Sequence, residues 1–123
     1  MRFEIECTGD VVIGDTVLFE EAVFGGSHRK PKFLGMRVIK AEVLRESYGE
    51  RKQQHTFSLR VIESTGYEPI EEGKEVRRKA RNVYRSGTLR VRWEDESKRV
   101  EVLREKHGRG GAARVAKIRR VFR

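Results

Sequence analysis

Hydrophobic and polar residues alternate with a period of two along much of the first two thirds of the chain. The alternation is regular over residues 2–7, 33–44 and 55–62. Successive side chains of a β-strand point to opposite faces of the sheet, so this period predicts strands with one buried face. Residues 16–24, which are rich in β-branched and aromatic side chains, and residues 76–85 predict two further strands. The chain is therefore constrained to fold around a β-sheet.

Turn-forming residues mark the connections between these strands. Residues 47–49 separate the two most regular strands, which predicts a β-hairpin, and residues 25–31 and 65–73 are expected to be loops. Strands that come first and helices that come last favour the α+β class. We predict a small curved antiparallel sheet or an SH3-like barrel, followed by one or two C-terminal helices. Residues 14–19 resemble the opening strand of SH3-like barrels.

The C-terminal third changes to helical patterning. Four hydrophobic residues fall on one helical stripe: Leu89, Trp93, Val100 and Leu103. We therefore predict a helix over most of residues 89–107 and a core position for Trp93, although the first part of this segment also fits strand alternation. Gly108 is expected to end the helix, because glycine is favoured just beyond a helix C-terminus.

Length and hydrophobic content limit the class of protein. The chain has 123 residues, of which 37% are hydrophobic, so it is expected to form one domain. We assign residues 1–108 to a single α+β domain and residues 109–123 to a basic C-terminal helical extension. The longest apolar run has three residues, whereas a membrane helix needs about 20. We therefore expect no membrane-spanning helix, and a membrane is not among the expected partners.

Cysteine usage and the start of the chain indicate the compartment. Cys7 is the one cysteine, which excludes an internal disulfide and a cysteine-based zinc site. No charged and then apolar leader follows Met1. We expect the protein in the nucleus and cytoplasm, and the immediate start of the first strand predicts a complete small reading frame.

Charge is distributed very unevenly. Residues 1–75 carry 11 Lys+Arg and 14 Asp+Glu, a net of −3, whereas residues 76–123 carry 17 and 5, a net of +12. A concentrated positive charge attracts polyanions, and nucleic acid is the commonest polyanion inside cells. An anionic membrane surface is a weaker alternative, and a solvated basic face without a ligand is the structural alternative.

The candidate nucleic-acid-binding residues combine cations for phosphates, amides for base edges and aromatic rings for stacking. They are Tyr48, Lys52, Gln53, Gln54, Arg77, Arg78, Lys79, Arg81, Asn82, Tyr84, Arg85, Arg109, Arg114, Lys117, Arg119 and Arg120. Two alternatives remain open, namely a hairpin turn held by side-chain hydrogen bonds at residues 52–55 and a basic sheet face beside acidic loops at residues 77–85. The latter segment also matches a nuclear-import signal, with low specificity.

The sequence nominates no catalytic machinery. His28, His55 and His107 are far apart in the sequence, and no glycine-framed serine or second cysteine accompanies them. No phosphate-binding loop or dinucleotide fingerprint occurs. The acidic run at residues 94–96 is explained more simply by a helix N-terminus than by a cation site. We therefore predict a protein that is not an enzyme, with no cofactor and no metal.

Several separated blocks resemble an uncharacterised domain of plant nuclear proteins that also carry a SAP module and a CCCH zinc finger. The blocks are residues 7–20, 46–49, 53–57, 81–85, 93–99 and 105–107 with the Gly and Ala-Ala-Arg that follow. The resemblance implies a nuclear, nucleic-acid-associated context and supplies no reaction. The chain departs from the family in lacking the SAP and zinc-finger parts, in Ala80 where a glycine is expected, and in a shortened loop around Pro69.

Two functions from different classes follow. The first is non-enzymatic binding of nucleic acid, with RNA or single strands preferred over DNA; by analogy with small basic plant-virus proteins, it extends to suppression of RNA silencing. The second is a barrel-type reader or adaptor of a protein partner in nuclear gene regulation, with Phe19, Tyr48 and Tyr84 around a peptide groove. A homodimer through an exposed edge strand at residues 2–7 is a further geometric option.

Overall fold

The computed structural model describes residues 1–48 and 55–121, with the side chains of residues 1–48 and 55–108. These residues form six strands and two helices. The strands are β1 (Phe3–Glu6), β2 (Thr16–Gly26), β3 (Pro31–Tyr48), β4 (His55–Gly66), β5 (Glu75–Lys79) and β6 (Thr88–Val91), and the helices are α1 (Ala80–Tyr84) and α2 (Glu96–Val121).

The strands form one antiparallel sheet in the order β1-β6-β2-β3-β4-β5. β1 and β5 are its two edges, so the sheet is not closed. Backbones of β2 and β5 would lie about 14 Å apart on a flat sheet, yet Glu21 of β2 and Arg78 of β5 form an ion pair of 2.8 Å. The sheet is therefore strongly curved. The predicted α+β class is confirmed, whereas the closed form of a barrel is not observed.

The core lies on the inner, concave face of the sheet. The predicted alternation is confirmed in the three central strands, whose inward residues are 0–1% exposed: Val17 and Phe19 from β2, Ile39, Ala41 and Val43 from β3, and Phe57, Leu59 and Val61 from β4. Full burial of each large apolar side chain contributes about 1.5–3 kcal/mol. Burial of Phe19 also removes it from the predicted peptide groove.

A bulge in β3 changes which residues face the core. The register shifts between Val43 and Arg45, where β3 has one residue more than β4. The inward positions therefore move from odd to even numbers, and Glu46 and Tyr48 lie opposite Phe57 and His55. The bulge turns the Glu46 carboxylate inward, where its side chain is 0% exposed.

The prediction for residues 76–107 is wrong in its boundaries. The predicted strand ends at Lys79 and α1 follows, while Leu89 lies in β6 and α2 begins only at Glu96. β6 forms backbone hydrogen bonds with both β1 and β2, and this pairing outweighs the helical pattern of its side chains. α2 also continues through Gly108, since an interior glycine weakens a helix by about 0.5–1 kcal/mol without necessarily ending it.

None of the helices in the described part of the chain is long and apolar enough to span a membrane.

Candidate nucleic-acid interface

The basic run at residues 77–79 lies on the edge strand β5, where strand alternation divides it between two faces. Val76 packs against the core, and the Nε atom of Arg78 donates to Oε2 of Glu21 at 2.8 Å. Arg77 and Lys79 therefore lie on the opposite, outer face. The structure does not bring the three cations to one surface.

Arg78 has a structural role on the inner face. Glu21 also accepts a hydrogen bond of 2.8 Å from Arg37 of β3, so one carboxylate links β2, β3 and β5. Burial of Glu21 favours its neutral form, but the hydrogen bonds from the two guanidinium groups outweigh burial and hold its pKa below its ordinary value. Arg78 is thus occupied by a partner inside the protein.

The outer face beside β5 carries both cations and hydroxyl groups. Ser58 of β4 lies between Arg45 of β3 and Arg77 of β5 in the cross-strand register, and Lys79 lies opposite Thr56. No ion pair between described residues includes Arg77 or Lys79. We call this set the β5 patch: Arg45, Thr56, Ser58, Arg77 and Lys79. Its guanidinium, ammonium and hydroxyl groups are suited to phosphate oxygens.

Within the β5 patch, Arg45 forms an ion pair with Glu75, the first residue of β5. The side chains of this pair are 64% and 48% exposed, and exposed pairs contribute only about 0–1 kcal/mol. A phosphate can therefore compete with Glu75 for Arg45.

The short helix α1 presents a second group of predicted cations. Its buried residues are Ala80 and Val83, while Arg81 is exposed, as is Arg85 at the C-terminal cap. Half-buried Asn82 lines a small groove with Arg85 and Glu20 of β2. Arg85 therefore shares a groove with a carboxylate, although no ion pair between described residues includes Arg81 or Arg85.

Tyr84 belongs to the core. Its hydroxyl oxygen accepts a hydrogen bond of 3.1 Å from the Val11 N–H, and its ring packs edge-on against Phe57 with centroids 6.0 Å apart. Burial raises the pKa of Tyr84. The structure assigns this ring to packing instead of the predicted base stacking and peptide-groove roles.

Tyr48 lies at the end of β3, beside the hairpin connection. Its ring is stacked on His55 with centroids 4.4 Å apart, and His55 Nε2 lies 2.7 Å from Oε2 of the buried Glu46. Tyr48 is half-buried and has one ring face covered. The neighbouring candidates Lys52, Gln53 and Gln54 lie outside the described residues.

Two cations of α2 point into the protein. The Arg99 guanidinium donates to both carboxylate oxygens of Asp15 at 2.9 Å, and the Lys106 ammonium donates to the Val11 carbonyl and lies 3.6 Å from Glu46. Burial lowers the pKa of Lys106, and the Glu46 charge only partly offsets this effect. The sequence analysis did not predict either contact. One local signal exists: Arg99 and Lys106 are seven positions apart, so they lie on the same face of α2.

The remaining α2 candidates lie on its C-terminal part. Arg109, Arg114, Lys117, Arg119 and Arg120 belong to the helix by their backbone, and their side chains lie outside the described residues. No acidic residue follows Glu105 in the sequence. Their role in binding stays a prediction.

The acidic run at the start of α2 is explained by local hydrogen bonds. Asp95 accepts from the Ser97 N–H at 3.0 Å, and Glu96 accepts from Arg90 at 2.7 Å and from the Trp93 N–H at 2.9 Å. The Arg90 hydrogen bonds lower the pKa of Glu96 to about 2. These carboxylates stabilise a helix start, as expected from their positions.

Trp93 is half-buried and precedes the helix, so the predicted core stripe does not form. Its Nε1 donates to Asp15 at 2.7 Å, and its ring lies close against Gly14 at one wall of a surface groove of about 500 Å³. Val100, another residue of the stripe, is 48% exposed.

Two observations concern potential metal ligands and the thiol in the described residues. They contain no group of three or more His, Cys, Asp or Glu side chains arranged to hold a metal ion. Cys7 is buried, and burial raises the pKa of its thiol to about 12. A thiol of this kind is a poor nucleophile at neutral pH.

Comparisons with known proteins identify the family of this chain. The model of a family described as a domain of unknown function, DUF7699, matches residues 7–93, from the end of β1 to the start of α2. The chain is 38% identical over 117 residues to the zinc finger CCCH domain-containing protein 62 of Oryza sativa subsp. japonica, and the match covers 91% of this chain but 17% of that protein. No solved structure matches the chain. The resemblance inferred from the sequence blocks is confirmed, and the chain belongs to the DUF7699 family.

Proposed function

We propose that the protein binds nucleic acid without catalysing a reaction, and that the β5 patch holds the phosphate backbone. The observation that supports this proposal is the outer-face position of Arg77 and Lys79, neither of which forms an ion pair with a described carboxylate, beside Arg45 and the hydroxyl of Ser58. The rice relative, named for a CCCH zinc finger, supports a nucleic-acid context of the same kind.

RNA is the preferred ligand in this proposal, and nucleus and cytoplasm are the expected compartments. Suppression of RNA silencing is its narrowest form, and it could act through bound RNA or through a host protein. A titration of the protein with single-stranded RNA, duplex RNA and DNA of equal length therefore ranks the ligands.

Charge reversal at the β5 patch tests the proposal. We expect Arg77→Glu with Lys79→Glu to weaken RNA binding by more than about tenfold, and to reduce the slope of log K against log salt by about one per lost phosphate contact. Fluorescence anisotropy at two salt concentrations measures both quantities.

The matched control is Arg2→Glu with Arg92→Glu. It makes the same change in net charge with two exposed residues beside β1 and β6, at the other edge of the sheet. Equal losses from the two double variants would indicate a general charge effect and contradict a site at β5. Absence of binding by the unmodified protein at low salt would contradict the function itself.

Protein binding is the second candidate function. The groove predicted from Phe19, Tyr48 and Tyr84 does not form, because Phe19 is 0% exposed and Tyr84 packs against the core. The observation that favours a partner is different: Phe24 and Phe33 are each 57% exposed. A homodimer through the edge strand β1 also stays a proposal, and sedimentation equilibrium tests it.

A further inference from the structure

The free end of the β2–β3 hairpin exposes two aromatic rings side by side. Phe24 and Phe33 are cross-strand neighbours with ring centroids 6.0 Å apart, and each is 57% exposed. Met36, 40% exposed, extends the apolar surface along β3. Isolated exposed hydrophobic residues are normal, but an adjoining aromatic pair indicates a contact surface.

Cations lie in and beside the turn of this hairpin. Arg29, Lys30 and Lys32 are exposed in and beside the turn, and no ion pair between described residues includes them. Residues 22–36 contain no Asp or Glu. This segment therefore carries only positive charge, although Glu20 and Glu21 of β2 line a small groove together with Phe24 and Met36.

The turn keeps these groups close together. Gly26 has φ of 79°, and a Cβ atom at this position would lie 2.7 Å from the Lys30 carbonyl oxygen. The hydroxyl of Ser27 accepts a hydrogen bond of 3.0 Å from the Lys30 N–H across the turn. Glycine is thus required for this tight turn, which carries Arg29 and Lys30 between the two strands that bear the rings.

We propose that the hairpin end binds single-stranded nucleic acid, with bases stacked on Phe24 and Phe33 and phosphates bound by Arg29 and Lys30. These four residues form the hairpin-end site. Lys32 directly precedes Phe33 in β3, so strand alternation directs its side chain to the other face of the hairpin. This inference rests on the proposed function and names its ligand class. Aromatic rings beside cations are the combination that single-strand binders use, and every base offers a face for stacking. Bases of a duplex are already stacked on one another, so the site selects unpaired strands.

The charge pattern favours nucleic acid over a protein partner. Three cations without a carboxylate in a 15-residue segment complement a polyanion, whereas a protein surface of mixed charge would leave some of them unpaired. Base stacking needs the aromatic rings, whereas a protein partner needs only an apolar surface. The test therefore removes the rings and keeps the apolar surface.

The experiment compares Phe24→Leu with Phe33→Leu against Phe24→Tyr with Phe33→Tyr. Leucine keeps the apolar surface and removes the ring, whereas tyrosine keeps the ring. We expect the leucine double variant to bind a fluorescent uridine-rich single strand at least about fivefold more weakly, because stacking contributes about 1–3 kcal/mol per base. The tyrosine double variant should bind like the unmodified protein. Val100→Ala, which trims another exposed apolar residue, should also have no effect.

The outcomes separate this inference from the function on which it rests. Weaker binding of single strands with unchanged binding of duplex RNA supports the hairpin-end site. Unchanged single-strand binding by the leucine variant, or an equal loss for duplex RNA, overturns the site but leaves the β5 patch intact. If the unmodified protein binds no nucleic acid at low salt, both proposals fail, and a protein partner remains for the aromatic pair.

Discussion

At the residue scale, Asp15 joins the sheet to the start of α2. Its side chain is 0% exposed and accepts hydrogen bonds from the Val12 N–H at 3.0 Å, Trp93 Nε1 at 2.7 Å and the guanidinium of Arg99 at 2.9 Å. Arg99 also donates to the Asp10 carbonyl at 2.6 Å. These hydrogen bonds offset the free-energy cost of removing the carboxylate from water. Removal of its charge would leave the buried guanidinium of Arg99 without a counter-charge.

We therefore expect Asp15→Asn to lower the free energy of unfolding by about 3–5 kcal/mol, the usual cost of breaking a buried ion pair. Urea unfolding followed by circular dichroism measures the change. The control is Glu63→Gln, which breaks the largely exposed pair with Lys40 and should cost no more than about 1 kcal/mol. Similar small losses in both variants would show that the Asp15 cluster does not hold α2.

At the element scale, strands β2, β3 and β4 were predictable, whereas β6 and the docking of α2 were not. Strand alternation is a local property, so β2, β3 and β4 could be placed from the residues themselves. Arg99 and Lys106 pair with groups 84 and 95 positions away in the sequence, and nothing local marks them as buried. The same limit affected β6, whose strand conformation depends on β1 and β2. The sequence analysis placed Arg77, Arg78 and Lys79 in one set of candidates, although the alternation of a strand divides them between two faces.

The start of α2 should make stability depend on pH in the acidic range. Glu96 has a pKa of about 2 in the folded protein, well below its ordinary 4.5, because Arg90 donates hydrogen bonds to its carboxylate. A lowered folded-state pKa means that this stabilisation is complete above pH 4.5 and is lost as the pH falls towards 2. We expect Glu96→Gln to flatten the decline of unfolding free energy over this window, as measured by urea unfolding at several pH values. Glu94→Gln, at an exposed carboxylate, is the control and should leave the decline unchanged; equal slopes for all three proteins would contradict the assignment.

At the scale of the whole molecule, the two proposed sites lie towards opposite ends of β3. Arg45 of the β5 patch and Phe33 of the hairpin-end site are separated by 12 positions of this strand, which is about 40 Å along its bent path. A short oligonucleotide therefore reaches one site at a time, whereas a longer strand can reach both and bind the second site intramolecularly.

This arrangement predicts how affinity depends on strand length. Binding of single-stranded RNA should strengthen more steeply than the number of binding registers once the strand can bridge the sites, within a series from about 5 to about 20 nucleotides. The gain should vanish in the Arg77→Glu, Lys79→Glu protein and equally in the Phe24→Leu, Phe33→Leu protein, because each retains one site and bridging needs two. Anisotropy titrations across the series measure the gain, with the Arg2→Glu, Arg92→Glu protein as the charge control. If either site variant kept the full gain with length, that site would not contact the strand, and the long ligand would have to follow another path across the surface.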